Sequence, residues 1–231
     1  MNFCGMNKTT LLDYPGHVAA TLFTGGCNMR CPFCQNSGLV LEPGSQPVIS
    51  EREVLDFLEK RKGILEGVCI TGGEPTLQAQ LGDFVRRVRE LGYLVKLDTN
   101  GYRPEVLRQM LEERVLDYVA MDIKASRERY GIACGLPDVE LSLIEESVNL
   151  LKKSRIPYEF RTTVVKGLHS PEEFTAIGQW LQGCRAYYLQ SYRDSEQVMQ
   201  PGFASYERRE LEEMRERAAR YVPQTALRGI V

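Results

Sequence analysis

Short apolar segments alternate with amphipathic helical patterns along this chain, and that alternation restricts the fold more than any other feature. The apolar segments are 18–24, 68–71, 94–98, 118–122, 158–164 and 186–190. Most are apolar at successive positions, as in strands buried on both faces. Between them, Leu77, Leu81, Phe84, Val88 and Leu91 recur at helical spacing, as do Val106, Met110 and Leu111, and then Ile144, Val148 and Leu151. Ser50 with Glu53 predicts a capping box opening one helix, and Ser170 with Glu173 predicts another. Leu211, Met214, Ala218 and Tyr221 mark a last helix. Strands alternating with helices favour a parallel sheet. With right-handed crossovers and sequential strand order, every helix lies on one face. The expected fold is α/β, a partial, open TIM-like (β/α)6 barrel with parallel strands. It forms a single domain over 1–231, with an N-terminal extension 1–16, the barrel at about 17–200 and a C-terminal helix at about 205–222. A doubly wound sheet has the same periodicity and remains the alternative.

Either fold places function at the C-terminal ends of the strands, where the unusual segments of this sequence fall. A cysteine-bearing loop follows the first strand, and Gly72-Gly73-Glu74-Pro75 follows the second. Asp98-Thr99-Asn100-Gly101 ends the third, and Asp122-Ile123-Lys124 ends the fourth. The loop reads Cys27-Asn28-Met29-Arg30-Cys31-Pro32-Phe33-Cys34 and begins at Gly25-Gly26, where backbone can wrap closely around a ligand. The four other cysteines, at 4, 69, 134 and 184, are scattered and read as structural. Seven cysteines in a chain without a secretory pattern do not form a disulfide framework. Thiolates are the usual ligands of iron–sulfur clusters. Three of them on a four-iron cube leave one iron open. A structural zinc site needs a fourth ligand, which His17, Cys4 or Cys69 would have to supply without the usual paired spacing.

The formal net charge of −2 gives no general attraction to nucleic acid or an anionic membrane. Residues 1–17 contain Lys8, Asp13 and Pro15 and no apolar run of signal-peptide length. A cytoplasmic location is expected. Arg86, Arg87 and Arg89 read as a solvated helix face, and His169 as a surface or loop residue.

The C-x3-C-x2-C spacing, with Phe33 just before the last cysteine, resembles the signature of the radical S-adenosylmethionine (SAM) superfamily. The resemblance implies a [4Fe–4S] cluster on Cys27, Cys31 and Cys34. Its open iron binds SAM, and one electron cleaves SAM to methionine and a 5′-deoxyadenosyl radical. Phe33 and Asn36 are then SAM contacts, and Gly72, Gly73 and Glu74 match the GGE-type motif that meets the SAM amino group. The segments at Asp98 and Asp122 resemble those of glycyl-radical-enzyme activating enzymes. That resemblance implies a monovalent cation at Asp98, Thr99 and Asp122, with Lys124 and Arg161 contacting SAM. Arg193 stands near the position where the pyruvate formate-lyase activator has a SAM-contacting histidine.

Leu11-Leu12-Asp13-Tyr14-Pro15-Gly16 and Leu22-Phe23-Thr24-Gly25-Gly26-Cys27-Asn28 closely resemble anaerobic ribonucleoside-triphosphate reductase activating proteins. The implied partners are that glycyl-radical enzyme and a one-electron donor such as flavodoxin or ferredoxin. The implied reaction is abstraction of a glycine Cα hydrogen. No second cysteine-rich block follows, so no further cluster is expected. Three alternatives stay open: a radical SAM enzyme acting on a small molecule, similar to 7-carboxy-7-deazaguanine synthase; an iron–sulfur electron-transfer or sensing module that does not cleave SAM; and a structural zinc-binding interaction module.

Overall fold

The computed structural model describes residues 1–230. They form two compact units. The first comprises Met1–Asn28, Gly38–Ala120 and Ser154–Pro157; the second comprises Met29–Ser37, Met121–Lys153 and the chain from Tyr158 onward.

The first unit holds strands β1 (Asn2–Phe3), β2 (Gly5–Thr10) and β3 (Ala19–Thr24), then helix α1 (Ser37–Leu41, whose first residue belongs to the second unit). β4 (Ile49–Ser50), α2 (Glu51–Lys60), β5 (Gly67–Gly72), α3 (Leu81–Glu90), β6 (Leu94–Thr99) and α4 (Pro104–Glu112) follow. β7 (Tyr118–Asp122) gives its last two residues to the second unit. β3, β5 and β6 pair in parallel, with Ala19 beside Gly67 and Gly67 beside Leu94. β2 runs antiparallel on the other side of β3, with a register shift between Asn7 and Thr10. The buried strand residues Leu22, Val68, Ile70, Val95 and Leu97 share the core with Val54 and Leu58 of α2 and Phe84, Val85 and Val88 of α3. The expected capping box opens α2: Ser50 Oγ accepts from Glu53 N–H, and the Glu53 carboxylate accepts from Ser50 N–H. The helix is amphipathic and buries one stripe, which is where most of its stability originates. Arg86, Arg87 and Arg89 pair with acidic side chains: Arg86 with Asp83 and Glu113, Arg87 with Glu51, and Arg89 with Asp117.

The second unit holds α5 (Tyr130–Cys134), α6 (Leu141–Lys153), β8 (Tyr158–Val164), α7 (Glu173–Leu181), β9 (Tyr187–Ser191), α8 (Arg208–Ala219) and β10 (Thr225–Arg228). β8, β9 and β10 are parallel in that order, with Phe160 and Thr225 both beside Tyr187. α7 and α8 cross closely at Gly178, where a Cβ would lie 3.1 Å from Ala218 Cα. The class expected from sequence, α/β with a mostly parallel sheet, is the one found.

Two local expectations fail. Gly131, Gly135, Pro137 and Asp138 mark the stretch 131–138 as a loop in sequence, yet it contains most of α5. Ser170 does not cap α7; Glu172 is the N-cap and makes no side-chain cap bond. The Glu173 carboxylate accepts instead from Ser126 N–H at 2.7 Å, a more valuable bond because it satisfies a buried backbone donor. Among the described residues no helix is long and apolar enough to cross a membrane.

Candidate active site

The site residues expected from sequence fall into two groups, one in each unit. In the first unit, the loop after β3 carries Gly25, Gly26 and Cys27, and the loop after β5 lies directly against it. Gly73 N–H donates to Thr24 O and Glu74 N–H to Gly26 O, each at 2.8 Å. This approach leaves no room for side chains: a Cβ on Gly73 would sit 2.0 Å from Gly26 O. Gly72 has φ +118°, a conformation that favours glycine.

Glu74 follows and is almost fully buried, at 1% exposure. One carboxylate oxygen accepts from Thr76 N–H at 3.1 Å, Thr76 Oγ1 at 2.5 Å and Thr99 Oγ1 at 2.7 Å; the other accepts from Asn100 N–H at 2.7 Å. Burial pushes the carboxyl pKa up, while the hydrogen bonds from Thr76, Asn100 and Thr99 oppose that rise. The Glu74 side chain therefore ties the loop after β5 to the loop after β6. Asn100 carries the chain of contacts onward, its amide donating to Asn28 Oδ1 at 2.8 Å and to Cys27 Sγ at 3.7 Å. In the sequence Asn100 stands only as one residue of the segment that ends the third strand, with no role of its own. Replacing Glu74 with alanine strands the Thr99 hydroxyl and the Asn100 and Thr76 amides in a buried setting. The expected loss is about 3 kcal/mol of stability, read by denaturant unfolding, with Glu74→Gln losing less.

A second residue escaped the sequence reading. Lys96 is 2% exposed on β6, and its ammonium donates to Asp98 Oδ1 and to Cys69 Sγ, 3.6 Å away. The signal was present: Lys96 and Asp98 are two apart on a strand and so share a face.

In the second unit, Cys31 is buried and Cys34 is half-buried. Their loop is held by backbone bonds: Arg30 N–H to Cys134 O, Met199 N–H to Cys34 O and Gln200 N–H to Pro32 O, each at 2.9 Å. Gly135, at φ +68°, lies so close that a Cβ would be 2.1 Å from Arg30 O. Asp122 accepts from Lys124 Nζ at 2.9 Å through one oxygen and from Arg161 Nε at 3.0 Å through the other. Burial would raise the Asp122 carboxyl, but the Arg161 and Lys124 charges outweigh it and hold the pKa at about 2. For Lys124, burial opposes the charge, and the nearby Asp122 and Cys31 more than offset it, raising its pKa. Asn36 and Arg193 are exposed, and an Arg193 guanidinium nitrogen donates to Gly229 O at 3.3 Å.

The Asp122 pKa sets a pH window. Its folded value of about 2 lies below the usual aspartate value of about 3.9. The stability it contributes is present above pH ~4 and is lost as pH falls from about 4 toward about 2. Acid unfolding of the metal-free protein is expected to show that loss, and Asp122→Asn to remove this component of the profile.

Among the described residues no three His, Cys, Asp or Glu side chains are grouped to hold a metal ion. Asp98 has Lys96, and Asp122 has Lys124 and Arg161, so fixed side chains already supply the charge that a monovalent cation would bring. Iron–sulfur ligation poses a different geometric requirement, because three thiolates on a cube bind three separate irons. The donor set fits such a group. No cysteine among the described residues is in a disulfide. Asn100 donates to Cys27 Sγ, and the Lys124 ammonium lies near Cys31.

Comparison with known proteins decides the family. A family model described as the radical SAM superfamily matches residues 21–181. The chain belongs to the radical SAM superfamily. This radical SAM chain is 30% identical over 233 residues to a protein of Methanocaldococcus jannaschii named as a glycyl-radical enzyme activating enzyme, covering 98% of this chain and 95% of that one. It is 32% identical over 152 residues to a protein of Thermococcus kodakarensis named as a GTP 3′,8-cyclase, covering 64% of this chain and 48% of that one. Its fold matches the crystal structure of Streptococcus suis SuiB bound to the precursor peptide SuiA, with a TM-score of 0.68 and 15% identity. That match covers 90% of this chain and 48% of SuiB. The radical SAM chain is thus an enzyme of a family that uses a [4Fe–4S] cluster and SAM.

Proposed function

We propose that this enzyme activates a glycyl-radical enzyme by removing a hydrogen atom from the Cα of one glycine. The observation that carries the proposal is the nearly end-to-end similarity to a protein named as such an activator. In this reading Cys27, Cys31 and Cys34 hold the cluster. Phe33, Asn36, the Gly72–Gly73 backbone, Lys124 and Arg161 form the SAM site. When bound, the cluster and SAM supply one electron and the 5′-deoxyadenosyl radical that takes the hydrogen.

The chain's own residues prepare the site. Gly72 and Gly73 let the loop after β5 pack directly against the backbone beside Cys27, where a side chain would collide with Thr24 and Gly26. Glu74 acts at one remove, fixing Thr99 and Asn100 while Asn100 donates to Cys27. Lys124 binds Asp122 through one of an ammonium's three donors, so others can meet a carboxylate. Lys96, Lys124 and Arg161 balance the aspartates, and no cation is included in the proposal.

The partner proposed is anaerobic ribonucleoside-triphosphate reductase, on the resemblance carried by the segments at Leu11–Gly16 and Leu22–Asn28, with a flavodoxin or ferredoxin as donor. Anaerobic incubation of the reconstituted enzyme with SAM, a reductant and that reductase should produce the doublet electron paramagnetic resonance (EPR) signal of a glycyl radical. The similarity to the GTP 3′,8-cyclase supports a second reading, a small-molecule substrate. SAM cleavage with no doublet from any glycyl-radical enzyme would replace the first reading with the second.

A further inference from the structure

His169 lies in the loop between β8 and α7, but it is buried at 3% exposure and not on the surface. Its ring is bonded on both sides. Val165 N–H donates to Nδ1 at 3.1 Å, and Nε2 lies 2.8 Å from Lys124 O. A backbone amide can only donate and a carbonyl can only accept, so Nδ1 carries the lone pair and Nε2 the proton. The neutral ring is fixed in one tautomer. Burial lowers its pKa, the direction that keeps it neutral.

The same ring touches the cysteine loop. Its centroid is 6.4 Å from that of Phe33 in an edge-on arrangement, and Phe174 packs 6.1 Å away from it. Tyr206 Oη donates to His169 O at 2.6 Å, fixing the histidine's own backbone. Four residues on, Glu173 accepts from Ser126 N–H at 2.7 Å. The segment from His169 to Glu173 thus grips the loop after β7 at two backbone points, Lys124 O and Ser126 N.

We infer that His169 is a positioning residue for SAM binding, setting the height of the Lys124 backbone and the tilt of Phe33 together. The inference rests on the proposed roles of Lys124 and Phe33 in the SAM site. His169 touches neither SAM nor the cluster; it acts through those two residues. A hydrogen bond to a backbone carbonyl beside a ligand-contacting side chain is well placed to do so, because small errors in such positions weaken binding and catalysis steeply.

The test compares His169→Gln, His169→Asn and His169→Leu. Glutamine can extend an N–H donor to Lys124 O. Asparagine can accept from Val165 N–H but falls short of Lys124. Leucine does neither. Each protein is reconstituted with iron and sulfide, its iron is counted, and its SAM affinity is measured by titrating the EPR spectrum of the reduced cluster. The Leu and Asn variants should keep wild-type iron while SAM affinity falls about tenfold, the loss of roughly one well-formed hydrogen bond. The Gln variant should remain near wild type. A Leu variant that binds SAM as tightly as wild type overturns the inference. If the Leu variant does not fold, equal affinities in the Gln and Asn variants overturn it. Failure of the wild-type protein, with its cluster intact, to bind SAM would instead refute the SAM-site assignment beneath it.

Discussion

Cys31→Ala is expected to abolish SAM cleavage and to leave the reconstituted protein with little stable iron, whereas Cys184→Ala keeps both. The contrast follows from the two surroundings. Cys31 lies near the Lys124 ammonium, whose positive charge favours the thiolate that iron requires. At Cys184, burial raises the thiol to about 11 despite the nearby Lys152 ammonium, and Sγ faces a backbone carbonyl 3.9 Å away. That thiol stays protonated and inert. Removing a residue that merely supports a metal ligand costs about 10–100-fold in affinity or activity. Loss of a ligand itself should exceed that range. Iron analysis, the visible absorption of the cluster and 5′-deoxyadenosine yield read the effect together. Full activity in Cys31→Ala would defeat the assignment of the ligand loop, and equal losses in both variants would indicate general damage to the protein.

Gly73→Ala should be a severely damaging single-methyl change near the site. The added carbon would lie 2.0 Å from Gly26 O, which is backbone and has no rotamer to swing aside. The loops after β3 and β5 would have to separate, breaking the Glu74 N–H to Gly26 O bond and shifting Cys27. The expected cost is about 3 kcal/mol or more, with iron retention lost as well. Gly26→Ala is the control. Gly26 has φ +81° but nothing within 4 Å of a built Cβ, so it incurs only backbone strain. That amounts to about 1–2 kcal/mol. Denaturant unfolding of the two metal-free variants measures the difference. A Gly73→Ala protein as stable as Gly26→Ala would show that the two loops do not pack as described.

The six apolar segments read as strands correspond to β3, β5, β6, β7, β8 and β9, with ends within a residue or two. They were legible because buried parallel strands are apolar on both faces. β2 was not, because Gly5–Thr10 is a polar strand with little burial and no apolar face to betray it. β1, β4 and β10 are two to four residues long, too short for periodicity to register. Among the candidate residues, the three clustered cysteines and the two glycines stand out by spacing alone. Glu74 stood out by its motif position, but the bonds of its carboxylate to Thr76, Thr99 and Asn100 had no signal in the sequence, because Thr99 and Asn100 lie on another loop. The burial of His169 was not legible because a single loop residue carries no periodic signal, and besides the nearby Val165 its ring meets Lys124 and Phe33, which lie far away in sequence. Ser170 and Glu173 matched a local capping rule, yet Glu173 instead pairs with Ser126, 47 residues away, and no local rule anticipates that.

The most direct measurement is quantification of 5′-deoxyadenosine after the anaerobically reconstituted, dithionite-reduced protein is mixed with SAM and the reductase proposed as its partner. Production of 5′-deoxyadenosine and methionine in equal amounts, dependent on the reductant, is the expected result. An intact, reduced cluster that binds SAM and yields no 5′-deoxyadenosine with the partner present would contradict it.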